Sequence, residues 1–425
     1  MIPNWDCRAD CGISVSGSRC NWRFAEAGGI VPSHRIFVSD KDRFDIVYFS
    51  SIDWNHTWQR PQQLASRLAR YGKVLYISPL GLRSVVLTDW ARILRRIAFE
   101  FSRRAAASNQ HMTVHTPLLY LPLPESPLAN RINGRLLHRS IAQWMKRQQV
   151  HQPIVWIGAP SLADLEAIQD VDARLIVYDC LDNFPLFHKD PYRIIEAEQQ
   201  IVSRANIVFT TATELYDRMK PVKPQHTFLV PNAADYVHFA AVTTQSFECP
   251  EDLVGIRKPL LGYFGEMAHW FDFSLIYDIA LRHPEWTFAL IGAVHVAVDK
   301  KLLGLPNVRF LGRKDYAKLP AYLSQFEVCL LPFKINALTS AVNPVKLYEY
   351  LAAGKPVVST PLKEVLRYQK VVEIADRTKF ADAIELALVT SRDPQRVFER
   401  QQVAQQNTWD VRIEEIIRIL CATKP

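Results

Sequence analysis

The stretch Asn343-Pro-Val-Lys346-Leu-Tyr-Glu349-Tyr-Leu-Ala-Ala-Gly354-Lys-Pro356-Val-Val-Ser359 decides the fold. Asn343 is a good helix cap, and Pro344 then stands at the first helical position, where its missing N–H costs nothing. Gly354 stops the helix, and Pro356 opens a β-branched run. Just upstream lies EVCLLPF (327–333), a continuous apolar strand. Strand, helix and strand in one short span make a βαβ unit, and such units build parallel sheets.

The same alternation extends in both directions. PLLGYFG (259–265), WTFALIG (286–292), VRFLG (308–312) and KPVVST (355–360) read as further strands with helices after most of them. In the first half, FDIVYFS (44–50), KVLYISP (73–79), IVWIG (154–158), RLIVYDC (174–180) and NIVFTT (206–211) do the same. Helices are predicted over 60–70, about 89–104 and 128–149. Strands this continuously apolar are covered by helices on both faces. The pattern pauses over the polar stretch 240–256. The prediction is therefore an α/β protein with two Rossmann-like, doubly wound parallel-sheet domains facing across a cleft. The expected divisions are an extension at 1–42, a first domain at 43–240, a second at 255–400 and a terminal helix at 401–425. Ligands in such sheets bind at the carboxyl ends of the strands.

Composition excludes several classes. The chain has 425 residues, 48% hydrophobic and 22% charged, which is globular rather than disordered or fibrous. No apolar run reaches the ~18 residues that a spanning helix needs. The start MIPNWDCRADCG has neither a charged leader nor an apolar core, so no secretory signal is expected. The seven cysteines are scattered, which argues against a disulfide framework and for a cytoplasmic compartment. Cys180 and Cys329 lie in apolar runs and read as small core residues. No metal site is expected. The net charge of +8 favours anionic partners.

The helix opened by Asn343 carries the clearest chemistry. A helix N-terminus points free N–H groups outward and suits a phosphate. Lys346 adds a full charge, and Glu349 follows on the same face. A carboxylate there can accept from two adjacent hydroxyls, such as those of a ribose. Together these outline a nucleoside diphosphate site, although an ordinary amphipathic helix with an i,i+3 ion pair reads the same way. Asp179 and Asp182 end a buried strand, as cleft-facing carboxylates or as a turn and cap. In the loop after the first strand, His56, Trp58 and Arg60 offer an aromatic face and polar groups to a sugar or acceptor, unless Trp58 is core.

These segments resemble glycosyltransferases of the GT-B fold, particularly those related to family 4. The likeness runs through GYFGEMAHWFD (262–272), NVRFLGRKDYAKLPAYL (307–323), LLPF (330–333) and NPVKLYEYLAAGKPVVS (343–359). In the first half it includes TWQRPQQLASRLA (57–69), VYDCLDNF (177–184) and VPNAADYVHF (230–239). Trp409 and Asp410 resemble the start of a terminal helix that packs back on the first domain. The resemblance implies transfer of a sugar from a nucleotide-sugar, with retention, to an acceptor hydroxyl without an essential metal or resident cofactor. Glu349 matches the second glutamate of the family's two-glutamate motif, which holds the ribose. The first would be residue 341, and here it is alanine. Its task would pass to the backbone nearby, or to Asn336 or Thr339. GEMAHW replaces the basic residues expected after the first strand of the second domain. Gly265 would admit the phosphate, and Arg313, Lys334 and Lys346 would supply its counter-charge, with Asn343 opening the helix. Asp179 and Asp182 stand at the family's His-Asp segment near the reacting sugar.

The predicted function is glycosyl transfer in bacterial surface polysaccharide or glycolipid synthesis, with a glycan or lipid-linked acceptor. A non-catalytic scaffold of this fold and a nucleotide-sugar epimerase are the alternatives. An NAD-dependent oxidoreductase is excluded, because FDIVYFSSIDW lacks the glycine fingerprint. Nucleic-acid binding has only the basic charge in its favour. Finally, residues 89–104 pattern as a basic amphipathic helix, with Arg92, Arg95, Arg96 and Arg103 opposite an apolar stripe. That predicts docking on the inner face of the cell membrane, unless the stripe packs on the sheet and the arginines face water.

Overall fold

A computed structural model describes residues 43–79, 111–117, 120–121, 126–187 and 190–423. The extension at 1–42 and the basic segment 89–104 lie outside the described residues. No helix among the described residues is long and apolar enough to cross a membrane.

The first domain holds a seven-stranded sheet: β1 (Ile46–Phe49), β2 (Val74–Ile77), β3 (Met112–His115), β4 (Ile154–Ile157), β5 (Leu175–Cys180), β6 (Ile207–Thr210) and β7 (Thr227–Leu229). Its strand order is β3-β2-β1-β4-β5-β6-β7, and every pairing is parallel. Alternate residues of β1 serve opposite faces. Val47 and Phe49 pack with Leu137, Ile141 and Trp144 of α2 (Pro127–Gln148). Ile46 and Tyr48 pack with Leu64 of α1 (Arg60–Leu68). This two-sided burial is why the strands read as unbroken apolar runs. Helices α3 (Leu162–Ala167), α4 (Pro191–Arg204) and α5 (Thr213–Met219) complete the domain.

The second sheet has six parallel strands: β8 (Leu260–Phe264), β9 (Thr287–Ile291), β10 (Val308–Gly312), β11 (Val328–Leu331), β12 (Val357–Ser359) and β13 (Glu373–Ile374). Its order is β10-β9-β8-β11-β12-β13, so it repeats the winding of the first sheet. Around it lie α6 (Tyr236–Thr244), α7 (Phe273–Arg282), α8 (Lys300–Leu303), α9 (Leu319–Gln325), α10 (Val345–Ala352), α11 (Phe380–Val389) and α12 (Pro394–Gln405). In each sheet the winding reverses beside the first strand, at β1/β4 and at β8/β11. A crevice opens there at the carboxyl ends.

The crossing between domains comes earlier than residue 240. Val230 and Ala233 belong to the first core, whereas Ala234 and Phe239 belong to the second. An apolar residue in the middle of α6 therefore overrides the polar stretch as a boundary mark. The chain returns in α13 (Trp409–Ala422), whose Trp409, Ile413, Ile416 and Ile417 pack into the first core. Asp410 fixes its start by pairing with Arg67 of α1 at 3.3 Å and with Arg70, just beyond that helix, at 2.8 Å.

Candidate active site

Helix α10 begins at Val345, with Pro344 and not Asn343 in the capping position. Asn343 instead joins the domains. Its Oδ1 accepts from the backbone N–H of Asn232 at 3.1 Å, and its carbonyl accepts from Asn232 Nδ2 at 2.7 Å. Its own amide donates to Tyr348 at 3.0 Å. Lys346 and Glu349 lie one turn apart on α10, with Nζ 3.7 Å from Oε2. That is an ion pair but too long for a hydrogen bond. Glu349 is 2% exposed, and its Oε2 has no hydrogen-bond partner. Burial pushes its carboxyl pKa upward; Lys346 opposes this shift and Asp235 adds to it.

Gly265 ends β8 against this helix. Its φ of +150° falls in the glycine-favoured region, and an added Cβ would sit 3.1 Å from Lys346 Cε. Gly262 has a different task, because the Phe326 ring fills the space where its Cβ would be.

The next residue, Glu266, is the centre of a polar cluster that sequence reading missed. Its Oε1 pairs with Arg313 Nη2 at 3.0 Å, and its Oε2 binds His295 Nε2. Burial raises the carboxyl pKa, but the His295 hydrogen bond and the Arg313 charge outweigh it and hold it below the usual value. The cluster spans the cleft. Arg313 Nη2 stands 3.1 Å from His56 Nε2, and Thr57 Oγ1 donates to Glu266 Oε1 at 3.4 Å. Burial and the Arg313 charge both lower the His56 pKa. Neutral His56 can then accept from Arg313. The structure thus brings the two predicted residues His56 and Arg313 together from opposite domains.

A second cross-cleft contact is aromatic. Trp58 is half-buried, and its ring lies 6.5 Å from that of Tyr316, which also stacks on His238 at 4.6 Å. Gln63 on α1 donates to the Tyr316 hydroxyl at 3.4 Å. Trp58 is therefore a cleft residue. Phe187 meets Trp270 across the same gap, 6.2 Å between centroids.

Several predicted site residues are placed elsewhere. Arg60 is 3% exposed, and its guanidinium is bound to groups of the first domain. Its Nη2 lies 2.9 Å from Asp179 Oδ1 and its Nε 3.0 Å from Oδ2, while Nη1 donates to the Val230 carbonyl at 2.9 Å. Asp179 has no exposed surface and also accepts from Trp156 at 3.4 Å, so its carboxylate is engaged within the fold as the counter-ion of Arg60. This pair pins α1 to β5 and to the interdomain crossing. Asp182, by contrast, keeps some exposure beyond β5, and the surrounding protein pushes its pKa up to about 7. Asn336 and Thr339 close their own turn: the Asn336 Oδ1 accepts from the Thr339 N–H at 3.1 Å, and Thr339 is fully buried. Both side-chain oxygens are engaged within this turn, where the Thr339 hydroxyl donates to the Lys334 carbonyl at 2.5 Å.

Ala341 has no exposed surface and packs with the first-domain core, in a 3-10 turn at 339–341 against α5. Beside it Glu364 caps α5 from the other domain. Its Oε1 accepts from the Thr213 N–H at 2.7 Å and from the Thr213 hydroxyl at 2.6 Å. Lys363 adds an ion pair with Glu214 at 2.7 Å. The site of the missing glutamate is thus an interdomain packing position.

Residues 258–389 match the family described as Glycosyl transferases group 1. The Bacillus subtilis (strain 168) protein named as a teichuronic acid biosynthesis glycosyltransferase, TuaH, is 28% identical over 286 residues. That alignment spans 62% of this chain and 70% of the relative. Among solved structures, Anabaena Alr3699/HepE in complex with UDP and glucose superposes with a TM-score of 0.59 at 13% identity, covering 89% of this chain and all of the other. Sucrose-phosphate synthase from Thermosynechococcus elongatus gives 0.61 at 14% identity, covering 89% of this chain and 98% of the other. Two sheets of the same winding and a cleft lined from both give the chain the GT-B fold of these structures, and its second domain is similar to the glycosyltransferases of group 1.

Proposed function

We propose that the chain moves a sugar from a UDP-sugar to a hydroxyl of a glycan or lipid-linked acceptor in surface polysaccharide synthesis. The observation that carries this reading is Glu349, a buried carboxylate with one oxygen left unpartnered beside Lys346. Two adjacent ribose hydroxyls are the donors such a group lacks. Lys346, the free N–H groups at the start of α10 and the Gly265 backbone suit the diphosphate. Arg313 is held by Glu266 at the neighbouring corner. His56 and Trp58 line the acceptor side, and Asp182 is the cleft-side carboxylate of the first domain. Transfer proceeds with retention and without metal or a resident cofactor; the departing phosphate takes the acceptor proton. The names of the relatives support this assignment. One refers to teichuronic acid, and HepE was solved with UDP-glucose as well as with UDP.

The protein works in the cytoplasm at the inner face of the membrane, through residues 89–104. A thermal-shift screen with UDP, GDP, TDP and CMP and their sugars tests the donor, because a ligand of the native state raises the melting temperature. UDP is expected to give the largest shift, and sugar transfer is expected to persist in EDTA. No shift with any nucleotide would end this reading. Magnesium-reversible loss of transfer in chelator would end its metal-free part. Equal vesicle co-sedimentation after Arg92, Arg95, Arg96 and Arg103 are changed to Gln would end the membrane part.

A further inference from the structure

Helix α2 carries Arg131, Arg135, Arg139, Lys146 and Arg147, and it contains no acidic residue. All five cations are exposed, and none makes a side-chain ion pair or hydrogen bond among the described residues. Glu166 on the neighbouring α3 lies against Gly134 and pairs with none of them. At 3.6 residues per turn, Arg131, Arg135, Arg139 and Lys146 fall within an arc of about 80° and span about 22 Å. They form a straight ridge.

Helix stability does not account for this ridge. Like charges four residues apart repel, and a cation near the N-terminal turn opposes the helix dipole. Only Lys146 and Arg147 benefit from the C-terminal end. Packing does not account for it either, since Leu137, Ile141 and Trp144 on the other face make the contacts with the sheet. The ridge also has a direction. Helix α2 follows β3, whose carboxyl end lies at the cleft edge, and returns to the start of β4 on the far side. Asn133 ties Leu121, in the connection from β3, to the helix through two hydrogen bonds of 2.7 and 3.0 Å.

We propose that the ridge is a track for an anionic glycan: an acceptor chain with carboxylates on its sugars leaves the cleft along α2. The proposal rests on the transferase reading above and adds the charge class of the acceptor. A linear polyanion matches a narrow line of cations. A lipid surface matches it less well, because interfacial helices insert an apolar face. The apolar face of α2 is buried, and Leu128 is its single exposed large apolar residue.

The test uses the full chain and a labelled oligogalacturonate, with neutral dextran and phosphatidylglycerol vesicles in parallel. One variant carries Arg131→Gln, Arg135→Gln and Arg139→Gln. A control removes the same charge elsewhere through Lys300→Gln, Lys301→Gln and Lys370→Gln. Wild type and control should bind the oligogalacturonate alike, more weakly as salt rises, and should ignore dextran. The α2 variant should bind about tenfold more weakly. No binding by wild type, equal loss in both variants, or a ridge needed for vesicles alone would each overturn the proposal. UDP thermal shifts on the same three proteins separate the two readings. Absence of nucleotide binding in all three would sink the UDP-sugar reading while leaving the glycan result to stand or fall by itself.

Discussion

Changing Glu349 to Gln should make the protein more stable and a worse nucleotide binder at once. The carboxylate is 2% exposed, its Oε2 has no hydrogen-bond partner, and Lys346 stands 3.7 Å away. Its pKa is raised in the folded state, chiefly by burial. A group so shifted binds its proton more tightly when folded. Its contribution to stability is full below the unfolded pKa and is lost as pH rises through the folded one. At pH 8 the under-satisfied charge costs about 1–3 kcal/mol. Gln keeps the shape and removes the charge. The melting temperature should therefore rise at pH 8, by roughly 2–4 °C for each kcal/mol recovered, and stay level at pH 4. Binding should move the other way. Loss of a charge-assisted hydrogen bond costs about 1.5–3 kcal/mol, roughly ten- to hundredfold in Kd for UDP. Scanning fluorimetry at the two pH values and titration calorimetry with UDP read both effects. A lower melting temperature at pH 8 together with unchanged UDP affinity would refute the argument and make Glu349 a structural residue.

Arg60→Met leaves Asp179 buried without its partner and should cost about 3–5 kcal/mol in urea denaturation, with much of it regained when Asp179→Leu is added. Glu364→Ala removes the trans-domain cap of α5; a loss of about 0.5–2 kcal/mol and faster hydrogen exchange at the Thr213 amide are expected. Ala341→Glu, which restores the glutamate that the family resemblance implies, should destabilise by roughly 2–7 kcal/mol, because a carboxylate enters the packed interface with α5. Glu266→Gln frees Arg313 from its carboxylate, so UDP should bind more tightly in calorimetry; weaker binding would mean that Glu266 positions the donor.

The sheets were legible because their strands are buried on both faces. Runs such as IVWIG and EVCLLPF stay apolar for their whole length, and flanking Gly and Pro mark their ends. β7 and β13 were not legible, since three and two residues are too few to show any period. The start of α10 was misjudged by one residue. A residue before proline is pushed toward extended backbone, and Asn343 then spends its side chain on Asn232 and Tyr348 instead of the helix. Asp179 illustrates a different limit. The alternation along β5 assigns it to a face, but nothing local says that Arg60, 119 positions away, already waits there. The Glu266–His295 contact likewise joins two strand ends 29 positions apart, and only the sheet order makes them neighbours.

The two departures from the family pattern, Glu266 and Ala341, make sense as separate consequences of how the domains meet. At residue 341 the 3-10 turn lies under α5, and Glu364 and Lys363 hold that contact from the same side. A larger or charged side chain would have to be buried there or force the domains apart, so alanine follows from the packing. At residue 266 a carboxylate would repel a diphosphate if left bare. Arg313 and His295 neutralise it, and His56 and Thr57 reach it from the first domain. The corner expected to be the basic grip on phosphate is therefore close to neutral and serves as a cross-cleft contact. The attraction for a diphosphate falls to Lys346 and the N-terminus of α10, the two features that lie directly beside Glu349 and its unpartnered oxygen.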